Sequence, residues 1–479
     1  MGRKVGQTVP AQARRNPRRA YVSVSNLSDR NYSPAMIGVL SNRAYARLFA
    51  AQTIALAGTG LLTIALGLLA YDLAGERAGA VLGTALTIKM VAYVTLAPVA
   101  NAIAARLPRK ALLIGADLIR AAVALCLPFI EAIWQVYLLI FVLQAASATF
   151  TPAFQATIPD ILEDEAEYTK ALSLSRLAHE LENLISPALA GLLLLVTSYH
   201  WLFGGTVVGF LGSALLVWLA PLPTRKPAAT SHSFSERLTR GLRIYLATPR
   251  LRGLLGLNMT AAAASAFVIV NTVVVVKAGY GGSETDVAIA FAAFGIGSMA
   301  AALSLPKLLE TIPDRPVMIA AASLLTVVTL AHAMWLLGFT QTAWPALLAI
   351  WAVSGAFYSG VLTPSGRLLR RSAHAEDRPA VFAAQFALSH ACWLVTYPLA
   401  GWVGVAFGLP VAMLVLGLLA LLGVIAALLL WPAGDPREAN HAHPDLPSDH
   451  PHLANYTAAS GHRHEFIIDD IHRAWPARG

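Results

Sequence analysis

Residues 409–431 read Leu409-Pro-Val-Ala-Met-Leu-Val-Leu-Gly-Leu-Leu-Ala-Leu-Leu-Gly-Val-Ile-Ala-Ala-Leu-Leu-Leu-Trp431, with no ionisable side chain among them. At a rise of about 1.5 Å per residue, a helix of this length covers the roughly 30 Å of hydrocarbon in a bilayer. Similar apolar stretches recur at 46–70, 79–104, 110–130, 134–154, 171–196, 201–220, 253–277, 285–306, 316–338, 344–364 and 380–407. They predict an all-α membrane protein with twelve transmembrane helices. The chain is 57% hydrophobic and has a mean hydropathy of +0.61, which excludes an ordinary soluble protein of 479 residues. Cys126 and Cys392 both fall inside predicted spans and read as small apolar packing residues.

The loops orient the spans. With the N-terminus in the cytoplasm, Arg106, Arg109 and Lys110, then the basic residues from Arg225 to Arg252, then Arg367, Arg370, Arg371 and Arg378 all lie on the inner side. The other side receives Arg77 and Lys277. This asymmetry follows the positive-inside rule and puts both termini in the cytoplasm. It also accounts for the net charge of +9 without nucleic acid, because the basic residues sit between spans. Residues 1–44 read as a basic cytoplasmic tail; a transit peptide is the alternative, and Met36 offers a second start.

The organisation that follows is a six-helix bundle over 45–220, a linker over 221–252, a second bundle over 253–431 and a His-rich cytoplasmic tail over 432–479. In the linker, Phe234, Leu238, Leu242 and Tyr245 alternate with Arg237, Arg240 and Arg243, which suits an amphipathic helix on the anionic inner leaflet or a solvated linker. The two bundles share marks. Thr151-Pro152 recurs as Thr363-Pro364. His179 precedes Pro187 by eight residues, and His390 precedes Pro398 by eight. Each of these prolines is followed by an Ala-Gly pair, Ala190-Gly191 and Ala400-Gly401. The pattern points to a duplicated unit with a substrate site near the midplane.

Twelve spans, a central basic loop and duplicated halves together resemble the major facilitator superfamily over residues 45–431. The segment Asn101-Ala-Ile-Ala-Ala105-Arg106-Leu-Pro108-Arg109-Lys110 keeps the basic residues of that family's loop between spans two and three, but not its glycines or aspartate. Ser186-Pro187-Ala188-Leu189-Ala190-Gly191 is similar to the Gly-Pro stretch of its exporters. Within the superfamily the chain resembles the bacterial branch of siderophore exporters and nickel-resistance permeases. That resemblance implies export across a bacterial inner membrane, with nickel or cobalt favoured.

Span five concentrates the candidate chemistry. Arg176, His179, Glu180 and Asn183 recur on one helical face, with Glu182 beside it. His179 to Asn183 lie about 12–18 Å from the cytoplasmic end. Ionisable groups at that depth are expensive and point to function. Imidazole and carboxylate bind either a divalent metal or a proton, so one site can couple the two by competition. His179 and Glu180 are candidate metal ligands, Asn183 a supporting donor, and Glu180 or Glu182 the proton carrier. An internal ion-pair network around Arg176 is the alternative. His390, the pseudo-symmetric partner of His179, joins the candidate pathway. Asp117 pairs with Arg120 or with Lys89, or relays protons. Asn258, Asn271, Gln52 and His332 read as helix-to-helix hydrogen-bonding residues.

In the tail, His441/His443, His450/His452 and His462/His464, then His472, alternate with acidic residues and suit capture of a divalent ion. Residues 465–475 are patterned to dock on the transporter as an amphipathic turn. No phosphate-binding loop is present, so an ion gradient must drive transport. The sequence therefore predicts a non-enzymatic exporter of a divalent metal by proton antiport. Metal is its substrate or tail ligand, and no cofactor is permanently bound. A proton-coupled exporter of a siderophore or amphipathic drug is the first alternative, and a non-transporting metal receptor the second.

Overall fold

The computed structural model describes residues 38–479 except 105–107, 163, 165–166, 169–170, 223–233, 340, 375–376, 435–437, 442–461, 470 and 476–479. Within 172–188 it describes Leu174, Ser175, Ala178, Glu182 and Ser186. Arg176, His179, Glu180 and Asn183 of span five, and His443, His450 and His452 of the tail, lie outside the described residues.

The first bundle contains span one (Arg43–Ala74), span two (Ala78–Ala104), span three (Arg109–Cys126), span four (Ile133–Ile161) and span six (His200–Leu219). The described residues of span five are helical. The second bundle contains span seven (Pro249–Val274), span eight (Glu284–Thr311), span nine (Asp314–Gly338), span ten (Trp344–Leu362), span eleven (Arg378–Pro398) and span twelve (Leu409–Leu430). Ten stretches among the described residues are long and apolar enough to cross a membrane, the first joining spans one and two. Local signals set their ends. Asn42 caps span one through Ala44 and Tyr45 N–H, Ser283 and Asp286 form a capping box on span eight, and prolines open spans seven, ten, eleven and twelve.

Call the end carrying the inter-bundle linker the linker end, and the opposite one the far end. The apolar core differs between them. At the far end one continuous cluster takes Leu68, Leu82, Leu194 and Phe203 from the first bundle and Phe267, Val273, Val287, Ala288 and Ala400 from the second. Toward the linker end it divides. One cluster around Tyr45, Leu48, Leu113 and Phe154 belongs to the first bundle, and another around Tyr245, Leu254, Leu369 and Trp431 to the second. Among the described residues, the halves are therefore joined at the far end and form separate cores at the linker end.

Small residues allow the far-end contact. A Cβ on Gly83 would stand 2.7 Å from the Tyr397 carbonyl oxygen, and one on Gly401 would strike the backbone of Gly79. Spans two and eleven thus touch backbone to backbone. Asn271 donates to the Ala400 carbonyl at 2.9 Å, as expected for a helix-to-helix residue. Tyr199 N–H donates to Glu284 at 3.0 Å and its hydroxyl to Asp72 at 2.5 Å, tying the loop after span five to the start of span eight.

The linker does contain a helix, Phe234–Ala247. Its buried Ile244 and Tyr245 face protein, not the leaflet: Tyr245 donates to Gln385 at 2.5 Å, and Arg240 grips Asp377 at 2.5 and 3.1 Å. The tail adds a feature outside the all-helical pattern, an antiparallel pair of strands, β1 (Glu438–His441) and β2 (His462–Glu465). The segment after β2 docks as the sequence suggested: Phe466 and Ile468 are buried in the core of the second bundle.

Candidate functional site

The point where the two cores part is lined by spans two and eleven. Leu86 and Met90 of span two and Tyr397 of span eleven are part of the shared core. At the parting itself stand Lys89 and Tyr93 of span two and Phe386 and His390 of span eleven. Lys89 Nζ lies 5.9 Å from the Tyr93 ring centroid. Tyr93 meets His390 edge-on at 5.6 Å and Phe386 at 6.1 Å, and Phe386 lies 3.9 Å from the His390 ring. Trp393 and Tyr397 extend this aromatic surface along span eleven, 4.8 Å apart. Phe386 is 44% exposed, and Lys89, Tyr93 and His390 are half-buried. Two halves of the chain therefore build one aromatic and basic surface, the apex, where spans two and eleven meet.

His390 holds a defined tautomer. Its Nδ1 lies 2.7 Å from the Phe386 carbonyl oxygen. A carbonyl only accepts, so Nδ1 carries the proton and Nε2 carries the lone pair of the neutral ring. His390, singled out in the sequence by its spacing to Pro398, thus stands beside Tyr93 of the other half.

Asp117 is elsewhere. It is fully buried, ion-paired to Arg120, and accepts from Ser213 at 2.7 Å. Arg120 is stacked between Phe150 at 4.3 Å and Phe210 at 4.5 Å. Spans three, four and six thus enclose the pair, and its geometry is that of a structural tie. Lys89, an alternative partner for Asp117 by sequence, turns instead to Tyr93. Gln52 accepts from Ser175 at 2.8 Å between spans one and five. His332 shares a hydrogen bond of 3.0 Å with Thr342 and packs edge-on to Trp351, both consistent with structural roles. Glu182 is half-buried in span five.

In the tail, β1 and β2 place His441 directly opposite His462, and His464 opposite Ala439. His472 is buried and bonded to Asp469 through Nδ1 at 3.0 Å. No group of three or more potential metal ligands gathers among the described residues.

Sequence reasoning missed Lys89 and Tyr93 as members of the apex. Lys89 was visible as an intramembrane charge, but the half of the molecule it faces is a property of packing and not of span two alone.

Membrane-spanning helices in two halves that meet across a shared surface have the architecture of a secondary transporter of small molecules, not of an enzyme. Residues 48–275 and 253–468 each match the Major Facilitator Superfamily. The chain belongs to that family. Its fold superposes on the nucleoside transporter NupG (TM-score 0.64, 12% identity, 81% of this chain and 100% of that one). It also superposes on a D-xylose–proton symporter (TM-score 0.62, 13% identity, 83% and 98%). A bacterial homologue of the human lysosomal transporter Spinster, in an inward-facing, unoccupied conformation, matches with a TM-score of 0.61 at 13% identity over 84% and 100%. By sequence, the chain is 26% identical over 181 residues to macrolide efflux protein A of Streptococcus pyogenes, covering 37% of this chain and 44% of that protein. The Enterococcus faecalis protein of the same name is 28% identical over 152 residues, 30% and 47% respectively. The chain thus spans less than half the length of these curated relatives.

Proposed function

We propose that the protein exports an amphipathic organic molecule from the cytoplasm in exchange for protons. The observation that carries this reading is the aromatic surface shared by the halves, Tyr93, Phe386 and Trp393, at the apex. Flat, partly exposed rings suit an organic body; a naked ion needs fixed oxygen or nitrogen donors instead. The partial similarity to macrolide efflux proteins supports the same direction. Under the positive-inside orientation the linker end, where the cores are separate, faces the cytoplasm, the side from which cargo for export is loaded. His179, Glu180 and Glu182 of span five carry the counter-moving proton, with Arg176 and Asn183 setting their environment. Expression in a host lacking its own efflux pumps tests the reading: tolerance to one or more members of a panel of anionic, neutral and cationic amphiphiles rises, and unchanged tolerance across the panel refutes it.

Export of Ni²⁺ or Co²⁺ is the second reading. The placement of His441 opposite His462 favours it, because directly opposed strand residues have Cβ atoms about 5 Å apart, within reach of one ion. The tail captures the ion and span five carries it. Lys89 near His390 works against a dication at the apex. Cellular accumulation of ⁶³Ni separates the readings: lower accumulation with the wild type than without the protein supports metal export, unchanged accumulation in all strains removes it, and equal export by His179→Ala removes only the span-five site.

A further inference from the structure

Lys89 lies mid-span and half-buried, and no acidic side chain pairs with it among the described residues. Three described aspartates of the first bundle have other partners. Asp72 accepts from Tyr199, Asp117 is held by Arg120 and Ser213, and Asp160 pairs with Arg109. An ammonium held at mid-membrane without a counter-ion is costly, and residues kept there serve a ligand, an ion path or a partner charge. The Tyr93 ring offsets part of this cost through its quadrupole, but 5.9 Å is the outer limit of that attraction.

The surroundings define what completes the site. Tyr93 of one half and Phe386 and His390 of the other form apolar walls beside the ammonium. The His390 Nδ1 proton is committed to the Phe386 carbonyl, so it is not free to donate to a ligand, and Lys89 is the cation beside these rings. A single cation flanked by rings suits a ligand with one anionic group attached to an apolar body. Inorganic polyanions lack the body, and cations are repelled.

We infer that the apex is a binding site for anionic amphiphiles: Lys89 pairs with a carboxylate or similar oxyanion of the cargo while Tyr93, Phe386 and Trp393 hold its apolar part. This inference rests on the efflux reading and names the charge class of its cargo. Because Lys89 and Phe386 belong to different halves, a bound cargo bridges the elements that must move for access to change sides.

The test uses the full chain, purified and reconstituted in nanodiscs for binding and in vesicles for transport. The probes are a dansyl-labelled fatty acid and its methyl ester. The acid binds roughly tenfold more tightly than the ester, a difference of about 1.4 kcal/mol. Lys89→Gln brings the ratio close to one, with an unchanged melting temperature as the sign of an intact fold, and Lys89→Arg retains the preference. Free acetate at matched concentration does not displace the labelled acid. Equal binding of acid and ester by the wild type, a preference that survives Lys89→Gln, or displacement by acetate overturns the inference. Vesicles that carry the ester as well as the acid remove the charge assignment and leave the efflux reading standing. Vesicles that carry neither remove both.

Discussion

Arg250, at the start of span seven, packs its guanidinium 5.1 Å from the ring centroid of Trp475. The same side chain, 2% exposed, donates to Ser372 Oγ at 2.9 Å and to the Phe466 carbonyl at 3.5 Å. One buried cation therefore ties the end of the chain to the loop between spans ten and eleven. A stacked cation of this kind contributes about 0.5–2 kcal/mol. Trp475→Ala is expected to loosen residues 466–475 while leaving the bundles folded, seen as faster amide exchange confined to that segment. Exchange unchanged there would mean that Phe466 and Ile468 hold it alone.

The docked segment responds to acid. Burial works to raise the Asp469 carboxyl, but His472, by its backbone N–H, ring and charge, and the Ile471 N–H outweigh it and hold the group below its ordinary value of 3.8. His374 stands 3.5 Å away on the transporter side. A depressed carboxyl stabilises the docked form above the ordinary value and loses that contribution as pH falls through the folded value. Protection of the Trp475 region, corrected for the intrinsic pH dependence of amide exchange, should therefore fall as pH drops below about pH 4. Asp469→Asn should raise exchange already at neutral pH.

Gly401 has backbone where a side chain would go. Gly401→Val forces spans two and eleven apart at the far end, because the obstacle is the Gly79 backbone and not a movable side chain. Overpacking costs about 1–3 kcal/mol, and here it falls on the contact that closes the far end. Spin labels placed at Arg77 and Gly281 should report a longer, broader distance distribution in the variant, and transport should fall.

Asp117 and Arg120 separate structure from proton relay. Asp117→Asn leaves a buried guanidinium without its partner charge, a loss of about 3–5 kcal/mol in comparable cases. Asp117→Leu combined with Arg120→Met removes both charges and should recover most of that stability in detergent melts. Transport per folded molecule should then be close to wild type. A double variant that is stable but inactive would make Asp117 part of the proton path.

Much of this architecture was legible because its cause is local. An apolar run such as 409–431 has one way to satisfy its backbone in hydrocarbon. The docking of 465–475 was legible for a related reason: Phe466, Ile468 and Trp475 in a polar tail need somewhere to bury. What was not legible depends on rotation of one helix against another. Lys89 is compatible by sequence with Asp117, yet the helices aim it at Tyr93 and the opposite half. The linker helix was visible in its periodicity, but that it meets Gln385 and Asp377 instead of lipid follows from Gly241, which lets it approach the Ala380 backbone. The spacing of His390 to Pro398 could not say that His390 meets Tyr93 of the other half, which follows from how the helices pack.

Gradient-driven uptake of a fluorescent amphiphile into inverted membrane vesicles tests the central claim most directly. Vesicles with an acidic interior should accumulate it in the presence of the protein, and a protonophore should abolish the accumulation within the same trace. Accumulation equal to that of vesicles lacking the protein, or uptake indifferent to the protonophore, would contradict export by proton exchange.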